Sequence, residues 1–181
     1  MYLHPLDPVR DGPDLHAIFG DDDCCMWLPE PATPDTETTI AKLKDWYGDF
    51  ADTSWVVCET PDGPARGVIA FYNTGRDADI WEAACMIHPT ARGKNYAARG
   101  LAAATEDLFA KTSARRIFAD IDPDNHASQK TFEKLGFTRE GILRGEWETH
   151  IGIRDSVIYG LLRTDPRPDI PGKPELLVRR S

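Results

Sequence analysis

Residues 87–100 read IHPTARGKNYAARG and place three cations, Arg92, Lys94 and Arg99, in a chain whose formal net charge is −9. An apolar run gives way here to a polar loop, and a helical pattern begins two residues after Gly93. The unpaired N–H groups and the dipole at a helix N-terminus attract phosphate groups, and glycine lets the backbone approach an anion closely. The pattern predicts an anion site at the mouth of a helix, although a plain surface loop would carry the same residues.

The chain of 181 residues has the length of one domain, and 41% hydrophobic with 28% charged residues is ordinary for a globular protein. No apolar run approaches the roughly 20 residues that span a bilayer, and the N-terminus lacks the regions of a signal peptide, so we expect a cytoplasmic protein that does not enter a membrane. The acidic balance argues against nucleic-acid binding. The four cysteines show no metal-ligand spacing, so we expect reduced thiols and no metal site.

Strand-like and helix-like runs follow the order β-α-α-β-β-β-α-β-α-β-β. This order predicts an α/β protein with one mixed, mostly antiparallel sheet of about seven strands and helices on both faces. We expect the first helix over about 13–19, a turn-rich loop over 20–31 and a long helix over about 95–111. A single domain is expected over 1–165, followed by a Pro-rich tail over 166–181 that drapes over the surface or frays.

The quoted loop, extended by one residue, resembles the acyl-CoA-binding signature of the GNAT superfamily of N-acetyltransferases. In that signature a strand ending in hydrophobic-x-Pro leads to Arg/Gln-x-x-Gly-x-Gly/Ala at the start of a helix. Arg92 takes the first position and Ala97 the last, whereas Asn95 stands where the family usually has glycine. Asparagine tolerates a left-handed backbone better than most residues, but this departure weakens the argument for an unhindered pyrophosphate loop.

Two further segments carry the same resemblance. NHASQKTFEKLGFTREGILR, residues 125–144, resembles the family segment in which an Asn is followed three residues later by a Ser and then by Glu-Lys-Leu-Gly-Phe. GIRDSVIYGLL, residues 152–162, matches the last strand of the branch that resembles ribosomal-protein alanine N-acetyltransferases. The likeness reaches from the first strand to about Arg163, which predicts a GNAT-like fold over nearly the whole chain.

The resemblance implies how acetyl-CoA, the expected cosubstrate, would bind. Two neighbouring parallel strands, near 80–87 and 117–121, would splay apart, and the pantetheine arm would pair with the exposed backbone of the first strand as a short pseudo-strand. The backbone of that strand would contribute Cys85, Met86 and Ile87. The pyrophosphate would lie on the helix mouth, formed by Arg92, Gly93, Lys94, Asn95, Tyr96, Ala97 and Ala98.

The implied reaction is the transfer of an acyl group, most simply acetyl, from acyl-CoA to a primary amine of a protein N-terminus or a small molecule. Many family members use a Tyr seven residues after the Asn to protonate the thiolate, but here that position holds Phe132. We therefore expect Ser128 to donate a hydrogen bond to the sulfur and Asn125 to contact pantetheine. Both residues would also suit a helix N-terminus with no ligand.

The general base has three candidate sources. Glu82 lies in an otherwise apolar run, where a carboxylate either faces water or has a raised pKa. Glu146 and Glu148 lie near the segment where the resembled branch carries a catalytic Glu, and a relayed water is the third possibility. The acceptor side is expected to be lined by aromatic and apolar side chains from Trp27, Leu28, Trp147 and Tyr159, each of which would equally suit the core.

Two other interpretations remain open from the sequence. Phe132 and Asn95 would suit a non-catalytic acyl-CoA-binding module, whereas Ser128 and the intact Arg92-Gly93-Lys94 favour an enzyme. A different acyl group, such as succinyl, would need a second cation deep in the cleft to hold its extra carboxylate. The chain is expected to act as a monomer or a homodimer.

Overall fold

A computed structural model describes residues 1–75 and 77–177. The strands are β1 Tyr2–Pro5, β2 Ser54–Cys58, β3 Gly67–Asn73, β4 Ile80–Ile87, β5 Arg116–Ile121, β6 Thr138–Thr149, β7 Gly152–Leu162 and β8 Glu175–Leu176. The helices are α1 Pro8–Phe19, α2 Asp22–Cys25, α3 Thr36–Tyr47, α4 Tyr96–Lys111 and α5 His126–Lys134, with short 3₁₀ turns at Gly48–Thr53 and Pro89–Ala91. Within these described ranges, no helix has the length and apolar composition needed to cross a bilayer.

The eight strands form one mixed sheet in the order β6-β7-β5-β4-β3-β2-β1-β8. Two neighbouring pairs are parallel, β4 with β5 and β1 with β8, and the other five pairs are antiparallel. The mixed, mostly antiparallel sheet expected from the sequence is confirmed, with one strand more than expected. The additional strand is β8, whose two residues lie in the Pro-rich segment, where no apolar alternation marks a strand.

The helices cover both faces of the sheet, and strand alternation shows this directly. Along β2, Trp55 and Val57 belong to the cluster packed under α4 and α5, whereas Val56 and Cys58 belong to the cluster under α1 and α3. Successive side chains of a strand point to opposite faces, so β2, buried along its whole length, contributes to two cores. This explains why its sequence, SWVVC, reads as a continuous apolar run instead of an alternating one.

The first two helices begin differently from the sequence expectation. Helix α1 starts at Pro8 and not near residue 13, because the Asp7 carboxylate caps it by accepting from the amides of Val9 and Arg10 at 2.9 and 3.1 Å. Proline at the first helical position fits, since its missing N–H would have no partner there. The expected loop over 20–31 contains the short helix α2, which Asp21 caps at the amide of Cys24.

The C-terminal segment lies against the domain as far as it is described. Ile170 is 3% exposed and belongs to the core cluster under α4 and α5. Strand β8 pairs in parallel with the outer edge of β1, and the amide of Leu177 donates to the carbonyl of Leu3 at 2.7 Å. Residues 166–177 are thus attached to the domain through Ile170 and β8, and the end of the predicted tail, 178–181, lies outside the described residues.

Candidate active site

The parallel pair β4 and β5 opens into a gap. Their residues pair only as far as Glu82 with Phe118, although β4 continues to Ile87 and β5 to Ile121. On its other side β4 stays paired with β3 up to Ile87. The last residues of β4 consequently face β5 without a strand partner, which is the splayed arrangement that the family resemblance implies.

The loop after β4 leads to the N-terminus of α4, which is the helix mouth predicted from the sequence. Gly93 has a φ of +78° and Asn95 a φ of +61°, both in the left-handed region, so the position where the family usually has glycine keeps a glycine-like conformation. Asn95 occupies the N-cap position of α4 but makes no side-chain hydrogen bond to the first turn. Among the described residues, the first amides of the helix, at Tyr96, Ala97 and Ala98, are therefore left for a ligand.

Cationic and polar side chains surround this helix mouth, and several are already engaged. The Lys94 Nζ lies 2.7 Å from the Glu59 carboxylate, which also accepts from the Tyr96 hydroxyl at 2.9 Å. The ion pair with Lys94 is the main cause that lowers the pKa of Glu59. Lys134, at the end of α5, donates to the Asn95 side-chain oxygen at 2.9 Å, so a cation that the sequence analysis did not select also reaches the loop.

The two arginines of the motif point in different directions. Arg92 donates from Nη2 to the Sγ of Cys24 at 3.0 Å, which connects the loop to α2 on the other side of the sheet end. Arg99 donates to the carbonyl of Gly172 and its guanidinium lies 5.8 Å from the Tyr96 ring. Of the three cations in the quoted stretch, Arg92 and Lys94 flank the anion loop, whereas Arg99 holds the C-terminal segment.

Replacing Glu59 by glutamine is expected to tighten CoA binding by up to about fivefold, because Lys94 and Tyr96 would no longer be held by a carboxylate that repels phosphate. Isothermal titration with CoA at low and high salt measures this, and the gain should shrink at high salt since the charges are exposed. Glu37→Gln, at an exposed glutamate on α3, is the matched control. Unchanged or weaker binding would show that Glu59 does not compete with the ligand.

A cavity of about 480 Å³ opens where β4 and β5 part. It brings together eight residues that were selected from four separate segments of the sequence: Trp27, Leu28, Glu82, Cys85, Met86, Asn125, Ser128 and Trp147. Ile87 and the helix mouth over 92–98 do not line it, because they continue the open edge of β4 beyond the cavity. The candidate site therefore has an enclosed part between the strands and an open anion loop next to it.

The start of α5 contributes the polar groups on one wall. Asn125 caps the helix by accepting from the amide of Ser128 at 3.2 Å, so the capping role foreseen for it is present and its side chain also lines the cavity. The Ser128 hydroxyl has no hydrogen-bond partner among the described residues. Phe132, one turn further along, lines the cavity and packs edge-to-face on Phe137 at 4.9 Å between ring centroids, so this position offers no acid.

Glu82 is a carboxylate of the cavity wall whose pKa is raised. It is half-buried on β4 and accepts from the hydroxyl of Tyr72 at 2.8 Å. Burial raises the pKa of Glu82 to about 7, against the hydrogen bond from Tyr72, which lowers it, and with a smaller contribution from the negative charge of Asp120. A carboxylate with a pKa near 7 is suited to accept a proton at neutral pH.

The other two candidate bases, Glu146 and Glu148, do not reach the cavity. Glu146 and Glu148 are exposed on β6 and neither lines the cavity, whereas Trp147 between them does. Glu148 follows Trp147 in a regularly paired part of β6 and therefore faces the opposite side, whereas Glu146 lies in an irregular part of the strand and is exposed to solvent. Tyr159, expected on the acceptor side, is fully buried in the core and donates to the Glu133 carboxylate at 2.8 Å.

Several residues that line the cavity were not selected as candidates from the sequence. They are Trp46 and Tyr47 at the end of α3, Tyr72 on β3, Asp120 on β5 and Arg154 on β7. Tyr72 lies directly opposite its hydrogen-bond acceptor in the β3–β4 register, and Asp120 is two residues beyond Phe118, the last residue of β5 that pairs with β4. The alternation of β5 already places Asp120 on the face opposite Ile117, Ala119 and Ile121, and that signal could have selected it.

The family model and the similar solved structures name the same family. The model of the acetyltransferase (GNAT) domain matches residues 1–138 of the chain. A search of curated proteins finds no match. Among solved structures, the chain is similar to an acetyltransferase (GNAT family) from Bacillus anthracis, with 22% identity, a TM-score of 0.78, and coverage of 88% of this chain and 93% of that chain.

Two further solved structures share the fold. One is a ribosomal-protein-alanine N-acetyltransferase from Brucella melitensis, with 19% identity, a TM-score of 0.72, and coverage of 90% of this chain and 99% of that chain. The other is a spermidine N-acetyltransferase from Vibrio cholerae in complex with CoA and spermine, with 17% identity, a TM-score of 0.75, and coverage of 90% and 95%. At these identities the likeness extends to the fold and not to the substrate.

Proposed function

The chain belongs to the GNAT family of acetyltransferases, and on that basis we propose that it transfers an acyl group, most simply acetyl, from acyl-CoA to a primary amine. One observation carries the proposal: the gap between β4 and β5 adjoins an open helix mouth on one side and an enclosed cavity on the other. A long ligand with a diphosphate at one end and a thioester at the other fits this sequence of features. The amine then approaches from the cavity.

Acetyl is favoured over a dicarboxylic acyl group such as succinyl by the charges of the cavity. Arg154 is the one cation that lines it among the described residues, and it is already held by Asp122 at 2.7 Å and by Asp124 at 2.6 Å. An extra acyl carboxylate would meet acidic side chains without a free cation. A small neutral acyl group avoids this repulsion.

The residues of the cavity have separate roles in this reaction. The neutral nitrogen of the acceptor attacks the thioester carbon, so a C–N bond forms while the C–S bond breaks. Glu82, directly or through a water, takes the proton that the amine loses, and the sulfur leaves as a thiolate that the Ser128 hydroxyl stabilises by donating a hydrogen bond. The proton passes from Glu82 to solvent, the thiolate is reprotonated, and the products are an amide and free CoA.

Ser128→Ala is expected to lower kcat about tenfold while changing KM for acetyl-CoA little. The reason is that a hydrogen bond to a developing thiolate is stronger in the transition state than to the neutral thioester. Steady-state kinetics with saturating amine separate the two constants. Thr131→Ala on the exposed side of the same helix is the control. A wild-type kcat in Ser128→Ala would remove Ser128 from the mechanism.

The overall proposal is tested by measuring free CoA released from acetyl-CoA with a panel of amines that includes polyamines and short peptides with varied N-termini. Amine-dependent release, with the acylated amine identified by mass spectrometry, is the expected result. Succinyl-CoA in parallel tests the acyl group, and we expect it to be the poorer donor. Tight CoA binding without turnover on any amine would instead identify a non-catalytic acyl-CoA-binding module.

A further inference from the structure

The acceptor side of the cavity holds more negative charge than its own residues neutralise. Five carboxylates line it, from Glu30, Glu82, Asp120, Asp122 and Asp155. Two of them have cationic partners among the described residues. Arg154 makes a two-pronged contact with Asp122, and Lys42 lies 3.0 Å from Glu30.

The other three carboxylates have only neutral donors among the described residues. Glu82 accepts from the Tyr72 hydroxyl, Asp120 accepts from the indole of Trp147 at 3.0 Å, and Asp155 accepts from the backbone amide of Gly145 at 2.8 Å. Glu82 and Asp120 lie on the same face of neighbouring strands. A ligand that places positive charge between them would complete an ion pair that the protein leaves open.

A second observation, independent of the carboxylates, also points to a ligand. Tyr47, at the end of α3, is 4% exposed and lines the cavity, yet its hydroxyl has no hydrogen-bond partner among the described residues. The ring is buried, but the hydroxyl oxygen itself is accessible from the cavity, so a bound ligand could pair with it. The Tyr47 hydroxyl is thus a polar group held ready for a ligand on the same side of the sheet as Glu82.

Aromatic rings complete this side of the cavity. Trp27, Trp46, Tyr72 and Trp147 all line it. The faces of such rings attract cations, and the guanidinium of Arg154 already lies 5.8 Å from the Trp27 ring centroid. Carboxylates together with indole and phenol rings form surroundings that favour an ammonium group and disfavour an anion.

Two segments that line the cavity are hydrogen bonded to each other, one with Trp27 and Leu28 and the other with Trp147. The turn between β6 and β7 is hydrogen bonded to the loop after α2: the amide of His150 donates to the carbonyl of Pro29 at 2.9 Å, and its ring Nδ1 lies 3.1 Å from the carbonyl of Leu28. This bridge ties two walls of the cavity together. A small acceptor would disturb it less than an extended polypeptide would.

From this charge pattern, the unpaired phenol and the bridge, we infer that the acceptor is a small di- or polyamine, which keeps a second positive charge besides the nitrogen that is acylated. The inference rests on the proposed function and adds the substrate class. The reacting nitrogen lies at Glu82, and the second ammonium group lies against Asp120, where the Tyr47 hydroxyl offers its oxygen as an acceptor.

Three amines with the same four-carbon chain test this inference: 1,4-diaminobutane, butylamine and 4-aminobutanoate. We expect kcat/KM for the diamine to exceed that for butylamine by about tenfold or more, because one hydrogen-bonded ion pair is added, and the amino acid to be the poorest. A short peptide with a free N-terminus is included. Equal values for diamine and butylamine, or a preferred peptide, would overturn the inference while leaving amine acylation in place.

Asp120→Asn provides the matched variant. Its charge also influences Glu82, so the useful quantity is the ratio of diamine to butylamine kcat/KM at the same pH, in which the effect on the base cancels. We expect this ratio to fall to near one in Asp120→Asn and to fall partly in Tyr47→Phe. The ratio should stay at the wild-type value in Asp169→Asn, an exposed aspartate outside the cavity. An unchanged ratio in Asp120→Asn would overturn the placement of the second charge.

Binding provides a readout that does not depend on turnover. Calorimetric titration of the CoA-loaded protein with the same amines should show tighter binding of the diamine, and this preference should weaken in Asp120→Asn. If no amine is acylated but the diamine still binds selectively, the inferred ligand class stands and the proposed reaction fails. If amines are acylated without this selectivity, the reaction stands and the inferred class fails.

Discussion

Replacing Glu82 by glutamine is expected to lower kcat/KM for the amine by about 10²- to 10⁴-fold, the range typical for loss of a general base. The substitution keeps the size of the side chain and its hydrogen-bonding contact with Tyr72, so the fold should be unaffected. The physical reason is the pKa of Glu82, which burial raises to about 7. At neutral pH a useful fraction of the carboxylate is ionised and can still accept a proton.

The pKa of Glu82 also predicts how kcat/KM changes with pH. Below about pH 7 Glu82 is protonated and cannot act as a base, so kcat/KM of the wild type should rise through that region, and this limb should be absent in Glu82→Gln. The ionisation of the free amine adds its own dependence to both proteins, and the comparison removes it. An identical rising limb in Glu82→Gln would show that another group, or solvent alone, accepts the proton.

Tyr72→Phe is the control that distinguishes a base from a merely structural carboxylate. The Tyr72 hydroxyl stabilises the ionised form of Glu82, so its removal should raise the pKa of Glu82 further. The rising limb should therefore move to higher pH without disappearing. A limb that stays in place would contradict the assignment to Glu82.

Gly93→Glu is expected to abolish measurable CoA binding while the protein stays folded. The space around a side chain at Gly93 is open, so the glutamate would extend over the helix mouth. A carboxylate there would repel the diphosphate and cover the amides at the start of α4. Titration with CoA measures the loss, and circular dichroism with thermal unfolding checks the fold.

The chain offers a matched control for the backbone cost of this change. Gly75, in the turn between β3 and β4, has a φ of +76° and equally open surroundings, against +78° at Gly93. A side chain at either position costs about 1 kcal/mol of strain, so Gly75→Glu should lose similar stability and bind CoA normally. Equal CoA affinity in both variants would place the diphosphate elsewhere.

The features that the sequence predicted well are local along the chain. The left-handed conformation that Asn95 tolerates, the helix that follows it and the cap at Asn125 depend on neighbouring residues, and all three are present. The splayed pair of strands was predicted from the family resemblance and not from local signals in the sequence. The first turn of α1 has a local signal as well, since Asp7-Pro8 is a capping residue followed by a favoured first residue.

The features that it missed depend on which strands become neighbours. Nothing near Tyr72 in the sequence shows that it faces Glu82, because their contact follows from the register of β3 with β4. The position of Glu146 depends on a local irregularity of β6 between Leu143 and Trp147, where Gly145 has a φ of +61°. Such an irregularity changes the facing of every residue after it, so the candidate bases on β6 could not be chosen from spacing alone.

The pairing of β8 with β1 has a practical consequence for shortened forms of the protein. Among the described residues, two residue pairs cover the outer edge of β1, and Ile170 anchors the connecting segment with a burial that contributes about 2 kcal/mol. A chain truncated after residue 165 would expose the backbone N–H and C=O groups of β1 at the end of an otherwise complete sheet. Such an edge accepts strands from other molecules, so self-association should increase on truncation even where the cavity is intact.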